Sequence, residues 1–83
     1  MNITIYTKSN CPNCVTAKNL LKSKGLEYHE FDVETDFGAQ IWLQDNPSLR
    51  QMPQIYINDQ RIGGIDALRV YMPRILAMKD DMK

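Results

Sequence analysis

The chain has 83 residues, of which 43% are hydrophobic and 24% are charged, and its ten basic and ten acidic residues give a formal net charge of zero. This length suits one domain with a small core, and the ordinary composition excludes a disordered chain. Because the charges balance, no overall field steers the protein to nucleic acid or to a membrane, and we expect neither as a partner.

The first predicted element is a strand, because residues 2–6 (NITIY) alternate polar and apolar and are rich in β-branched side chains. A helix follows, since Pro12 suits a first turn, apolar residues then recur at helical spacing, and Gly25 is a typical stop. Residues 28–33 (YHEFDV) alternate again and predict a second strand. The two cysteines, Cys11 and Cys14, therefore lie where the first strand gives way to the helix.

The second half of the chain predicts a helix, a hairpin and a final helix. Residues 37–45 have helical spacing, and residues 54–57 and 60–62 flank the turn residues Asn58 and Asp59. The last helix should begin near Asp66, with this residue as its cap, and Pro73 should kink or end it. We interpret residues 1–83 as a single domain in which 79–83 form a frayed tail. The order β-α-β-α-β-β-α predicts an α/β fold with a mixed sheet.

The charges are unevenly distributed along the chain. Residues 1–26 contain four lysines and no acid, whereas residues 27–45 contain six acids and no lysine or arginine. The cysteines lie in the basic segment.

The N-terminus lacks the apolar core of a secretory signal, and no apolar run approaches the roughly 18 residues of a membrane span. We therefore expect a cytoplasmic, reducing location, where a close cysteine pair is catalytic or metal-binding more often than structural.

The position of the two cysteines predicts reversible thiol chemistry. The thiolate is the nucleophile, and a thiol with a pKa of about 8.5 is only ~3% ionised at pH 7. A helix N-terminus offers unpaired N–H groups and a positive dipole end, and Lys8 adds a cation. We assign the attack to Cys11, which precedes the helix and should be the more exposed. Cys14, one turn further, should resolve the mixed disulfide.

Two other interpretations of the cysteine pair stay open at this point. A structural disulfide would close a four-residue loop, which gains little entropy in a reducing setting. A zinc site normally needs four ligands, and His29 is the only nitrogen donor left in the chain. We favour redox catalysis over both.

Three blocks of the sequence resemble the glutaredoxins, a family of the thioredoxin superfamily. They are YTKSNCPNC at 6–14, MPQIYI at 52–57 and IGGIDAL at 62–68, and the resemblance extends to about Met78. It implies a thioredoxin-like fold, with a four-stranded mixed sheet and helices on both faces, and a dithiol active site. It also implies a cis peptide bond between Met52 and Pro53, with the main chain of Met52 pairing with the bound substrate.

The same resemblance implies a glutathione-dependent thiol–disulfide oxidoreductase that acts as a monomer, without metal or prosthetic group. Its substrates would be disulfide-containing or glutathionylated proteins, with ribonucleotide reductase as one partner that the family suggests. The glutathione-binding residues carried over are Lys8, Asn13, Gln40, Arg50, Met52, Pro53, Gly64, Ile65 and Asp66. Lys8, Gln40 and Arg50 would hold the glycyl carboxylate. Gly64 and Ile65 would lie beside the γ-glutamyl end, whose ammonium Asp66 would receive.

The sequence also departs from the family pattern near the cysteines and the Met-Pro pair. Asn13 stands where many members have an aromatic residue, Gln51 replaces a threonine, Pro47-Ser48 replaces Thr-Gly, and Ala67 stands where a second acid is frequent. These departures bear on the affinity for glutathione. One alternative is a redoxin recharged by thioredoxin reductase, and another is an iron–sulfur or metal-binding module ligated by Cys11.

The large apolar residues near residue 40 have two interpretations. Phe37, Trp42 and Met52 could form an apolar surface for docking protein partners. We favour a core role for Phe37 and Trp42, because large apolar residues at helical spacing are usually buried.

Overall fold

The chain forms the seven predicted elements in the predicted order. A computed structural model describes residues 1–81, with side chains as far as Lys79. The strands are β1 (Ile3–Thr7), β2 (His29–Asp32), β3 (Gln54–Ile57) and β4 (Gln60–Gly63). The helices are α1 (Pro12–Ser23), α2 (Phe37–Asp45) and α3 (Ile65–Asp81).

The four strands form one mixed sheet in the order β2-β1-β3-β4. β1 is parallel to β2 and antiparallel to β3, and β3 is antiparallel to β4. The β3–β4 turn has positive φ at both Asn58 (50°) and Asp59 (68°), as a two-residue type I′ hairpin requires. The α/β, thioredoxin-like fold that the sequence predicts is therefore confirmed.

One face of the sheet carries the main core, which α1 and α3 cover. Alternate residues of β1 and β3 point to this face, because side chains alternate along a strand. The buried residues of this cluster are Ile3, Ile5, Ala17, Leu21, Leu26, Ile55, Ile57, Leu68, Met72 and Ile75. Since β1 is central and fully packed, its carboxyl end has a fixed position from which the cysteine loop begins.

The opposite face carries a smaller layer against α2. Trp42 stacks on Tyr6 with ring centroids 3.8 Å apart, and its Nε1 donates to the hydroxyl of Tyr56 at 3.0 Å. The packing predicted for Trp42 is therefore correct, but that for Phe37 is wrong, because the Phe37 side chain is 75% exposed. Phe37 lies two positions from the buried Ala39, which turns it about 200° around the helix and away from the sheet.

Helix α3 does not end at Pro73, as the sequence predicts, but continues to Asp81. Pro73 has no N–H to donate to the carbonyl of Arg69, four residues earlier. Because both residues are exposed, that carbonyl can bond to water instead. The Lys79 ammonium donates to the carbonyls of Lys24 (3.2 Å) and Gly25 (3.0 Å), which ties α3 to the end of α1. Residues 79–81 are thus helical rather than frayed, and residues 82–83 lie outside the described part of the chain. No helix within residues 1–81 is long and apolar enough to cross a membrane.

A polar network holds the carboxyl end of β1. The hydroxyl of Thr7, a buried residue, donates to Glu30 of β2 at 2.8 Å, and Lys18 of α1 donates to the same oxygen at 3.0 Å. Burial by itself raises the pKa of Glu30, but these hydrogen bonds and the charges of Lys18 and Lys22 outweigh it, so the pKa lies below the ordinary 4.5. Two strands and a helix are thereby joined next to the cysteine loop.

We expect Leu68→Ala to destabilise the protein by about 2–5 kcal/mol, because it leaves a cavity where a fully buried side chain packs between α3 and the sheet. Urea unfolding of the oxidised protein measures this change. Val70→Ala is the control, since Val70 is 76% exposed on the same helix and its truncation should change stability by less than about 0.5 kcal/mol. Equal effects of the two substitutions would contradict the packing described here.

Candidate active site

Cys11 caps helix α1 with its own side chain. It has an extended backbone conformation, and its Sγ accepts a hydrogen bond from the N–H of Cys14 at 3.1 Å. Pro12 occupies the first turn, where its missing N–H leaves no helical bond unmade. The sulfur therefore sits at the end of the helix where the dipole and a backbone N–H favour negative charge, as the sequence predicts.

Cys11 and Cys14 form a disulfide, with their Cα atoms 5.2 Å apart. Cys11 is 9% exposed and Cys14 is 2% exposed, so solvent and substrates reach Cys11 first. This order agrees with the predicted exposure of the two residues. The pair can thus exist as a bridge, which is the oxidised state of a dithiol exchange site.

The loop before β3 brings a backbone carbonyl to the sulfur of Cys11. The peptide bond between Met52 and Pro53 is cis, as the resemblance implies, and the Met52 oxygen lies 3.4 Å from Sγ of Cys11. In the disulfide this sulfur has no proton, so only a reduced thiol could donate to that oxygen. The buried Met52 side chain packs in the same cluster as both cysteines.

A cleft of about 280 Å³ opens beside this loop. It brings together six of the predicted glutathione-binding residues: Asn13, Met52, Pro53, Gly64, Ile65 and Asp66. The other lining residues are Gln51, Gln54 and Ala67. Gln51 and Ala67 are positions where the sequence departs from the family pattern, so these departures face the place where a ligand would lie.

Gln54 is a lining residue that the sequence analysis missed. It is buried, its Nε2 donates to the carbonyl of Gln51 at 2.8 Å, and Arg61 donates to its Oε1 at 3.4 Å. These bonds join the loop before β3 to the neighbouring strand β4. The only sign of this role in the sequence is that Gln54 is a polar residue at the start of an otherwise apolar strand.

The glycine pair shapes the far wall of the cleft. Gly63 has φ +122°, which side-chain-bearing residues rarely adopt, and it directs the chain from β4 into α3. Helix α3 begins at Ile65, and the first turn closes on the carbonyl of Gly64. Asp66 is therefore in the first turn, not at the cap that the sequence assigns to it. Its carboxylate is 96% exposed and lies 3.9 Å from Arg69, so it remains accessible to a cationic group.

The other three predicted ligands lie outside this cleft. The amide of Gln40 donates to the carbonyl of Glu34 at 3.0 Å, and Arg50 donates to the carbonyl of Pro47 at 3.2 Å. Lys8 is exposed, and its charge acts on Glu34. Lys8 and Gln40 thus share the neighbourhood of Glu34, while Arg50 bonds to its own loop.

Glu34 is a second residue that the sequence analysis missed. Its carboxylate accepts hydrogen bonds from the backbone N–H and the hydroxyl of Ser9, two residues before Cys11. The pKa of Glu34 lies below the ordinary 4.5. The main cause is the hydrogen bond from the Ser9 side chain, and the bond from the Ser9 backbone and the charge of Lys8 lower it further. The contact forms because β1 and β2 are parallel, so the segments after their carboxyl ends meet. The only sign of this role in the sequence is that Glu34 is an acidic residue just after the second strand.

Comparison with known proteins gives a consistent set of matches. A family model described as glutaredoxin matches residues 3–62. A probable glutaredoxin of Synechocystis is 45% identical over 65 residues, which cover 77% of this chain and 74% of that protein. Glutaredoxin 3 of Escherichia coli is 39% identical over 67 residues, or 81% of each chain. The crystal structure of glutaredoxin 1 from Francisella tularensis superposes with a TM-score of 0.76 at 27% identity, covering 92% of this chain and 96% of that one.

We expect the Ser9 amide proton to report the ionisation of Glu34 in an NMR titration, with a midpoint below 4.5. The sign follows from the lowered pKa: the bonds to Ser9 favour the carboxylate, are present above 4.5, and are lost as pH falls through the folded-state pKa. Glu34→Gln should abolish this titration, whereas Glu27→Gln should leave it unchanged. A midpoint at or above 4.5 would show that Ser9 does not bind the carboxylate.

Proposed function

Because the chain belongs to the glutaredoxin family, it is a thiol–disulfide oxidoreductase, and we propose that glutathione is its reductant and that protein disulfides and glutathione mixed disulfides are its substrates. The observation that carries this proposal is the Cys11–Cys14 disulfide at the N-terminus of α1, beside the carbonyl of Met52. A sulfur so placed is more exposed than its neighbour, is stabilised as a thiolate and can be released again by that neighbour.

The reducing half-reaction begins from the dithiol. The Cys11 thiolate attacks one sulfur of the substrate disulfide, an S–S bond forms between enzyme and substrate, and the other substrate sulfur leaves as a thiolate that takes up a proton. The Cys14 thiol then loses its proton and attacks Cys11. The second substrate sulfur leaves with the electron pair, and the enzyme disulfide forms. Two electrons have passed to the substrate, and the enzyme is in the state that the structure shows.

Two glutathione molecules return the enzyme to the dithiol. The thiolate of the first attacks Cys11, which frees Cys14 as a thiol and leaves glutathione joined to Cys11. The thiolate of the second attacks the sulfur of the bound glutathione, releases glutathione disulfide, and regenerates the Cys11 thiolate. The N–H of Cys14 stabilises that leaving thiolate through the hydrogen bond it donates to Sγ.

We propose that glutathione lies along the cleft with its cysteine beside Met52. The backbone of Met52 would pair with it, Asn13 and Pro53 would flank it, and Asp66, at the exposed start of α3, would receive its ammonium. The glycyl carboxylate would bind the ammonium of Lys8 and the amide of Gln40, two groups that share the neighbourhood of Glu34. The amide nitrogen of Gln40 uses one hydrogen bond on Glu34 and has a second N–H to offer. Arg50 uses one of its five N–H donors and can assist.

A thioredoxin reductase is the alternative source of electrons. The observation in its favour is that Asn13 and Gln51 both line the cleft, where the family pattern has an aromatic residue and a threonine. A polar amide in place of an aromatic ring removes apolar contact area from a bound sulfur compound. More residues of this chain match the glutathione-binding positions of the family than depart from them, so we propose glutathione as the reductant.

A coupled assay should separate the two electron sources. We expect NADPH with glutathione reductase and millimolar glutathione to sustain turnover of a glutathionylated peptide, and thioredoxin reductase to sustain less than about a tenth of that rate. NADPH consumption at 340 nm measures both. Turnover with thioredoxin reductase and none with glutathione would reject the proposal.

We expect Cys14→Ser to remove the reduction of protein disulfides, by about a hundredfold or more, and to spare the removal of glutathione from mixed disulfides within about fivefold. The reason is that Cys14 is needed only when no second glutathione resolves the intermediate. The Cys11→Ser variant is the control and should lose both activities. Equal loss of the two activities in Cys14→Ser would contradict this division of roles.

A further inference from the structure

Helix α2 presents an apolar pair to solvent next to the active site. Phe37 is 75% exposed and Ile41 is 43% exposed. They are four residues apart, so they are neighbours on one side of the helix, and the exposed Asp45 follows at the same spacing. We call Phe37, Ile41 and Asp45 the α2 face. Isolated exposed apolar residues are common on proteins, so the meaning of this pair depends on where it lies.

Helix α2 packs against the reaction centre with its other side, where Ala39 shares a cluster with Cys11, Cys14 and Met52. The α2 face points away from that cluster and adjoins the proposed position of the glycyl carboxylate. Gln40, where we place the glycyl carboxylate, lies three positions after Phe37, so these two side chains are neighbours on the helix surface. A peptide chain that continues beyond the glutathione-sized part of a substrate would therefore pass over this face.

Acidic residues lie at both ends of the helix that carries the α2 face. The helix itself contains no lysine or arginine. Glu34 and Asp36 precede the helix, and Asp45 ends it. Lys8 is the neighbouring cation, and its charge already acts on Glu34. A partner that complements this face in charge is basic.

We propose that the α2 face docks protein substrates whose reactive cysteine is flanked by a large apolar residue and by lysine or arginine. The inference rests on the proposed function, because it concerns the substrates of the same exchange reaction. The apolar side chain contacts Phe37 and Ile41, and the basic side chain lies near Asp45. Small mixed disulfides do not reach the face, so the face selects among proteins without affecting the sulfur chemistry.

The apolar contact is tested with the double variant Phe37→Ala/Ile41→Ala. Its substrates are glutathionylated peptides with leucine and lysine beside the cysteine, a matched peptide with serine in place of leucine, and the mixed disulfide of glutathione with free cysteine. We expect kcat/KM for the leucine peptide to fall about tenfold, and for the other two substrates to stay within about twofold. Val70→Ala is the control, because Val70 is equally exposed on α3, and it should change none of them.

The charge contact is tested by reversal with Asp45→Lys. We expect this variant to lose about threefold in kcat/KM with the lysine peptide and to gain a similar factor with a glutamate peptide, both effects shrinking at 0.5 M salt. Lysine near a helix C-terminus is favourable, so the fold should tolerate it. Glu27→Lys is the control: it makes the same charge change before β2, at the end of the sheet opposite Cys11, and should alter neither rate.

The possible results distinguish a failure of the docking inference from a failure of the proposed function. If wild type does not turn over the cysteine mixed disulfide with glutathione, the proposed function fails. If it does, but the double variant loses equally on all three substrates or loses on none, the docking inference is overturned. It is also overturned if wild type forms a dimer in solution that the double variant does not, because the face would then be covered by a second copy.

Discussion

The chemistry of this protein depends on one contact, the hydrogen bond from the N–H of Cys14 to the sulfur of Cys11. It exists only if the sulfur stands at the first turn of α1, and that position is set by the carboxyl end of β1. Three separate devices fix that end: the core packing of β1, the bonds of Thr7 and Lys18 to Glu30, and the bonds of Ser9 to Glu34. Much of the framework therefore serves one sulfur atom.

The order and type of the elements could be predicted because each has a local signal. Alternation in β1 and β3, helical spacing in α1 and α2, and turn residues at Asn58-Asp59 are properties of short stretches of chain. The incorrect predictions concern information that is not local. Phe37 has helical spacing, yet its side faces away from the sheet. Pro73 sits where water can take the place of the lost bond, and Lys79 gains its partners from the end of α1.

The candidate site shows the same division. The spacing of Cys11 and Cys14 is enough to indicate thiol chemistry, and the resemblance implies six of the residues that line the cleft. Glu34 and Gln54 were missed because their roles arise from contacts with Ser9 and with the Gln51 loop, which only the folded sheet brings into reach. The separation of Lys8 and Gln40 from the main cleft is likewise a property of the fold, since Lys8 follows β1 and the Gln40 side chain bonds to Glu34, which follows β2.

The stack of Trp42 on Tyr6 has a consequence for watching this molecule at work. Trp42 is the single tryptophan of the chain, so its indole emission originates from one place, the thin layer between the sheet and α2. The thicker layer beneath α1 and α3 contains no indole and stays dark at that wavelength. In the folded protein, a change in fluorescence therefore reports an event in this layer, without any attached dye.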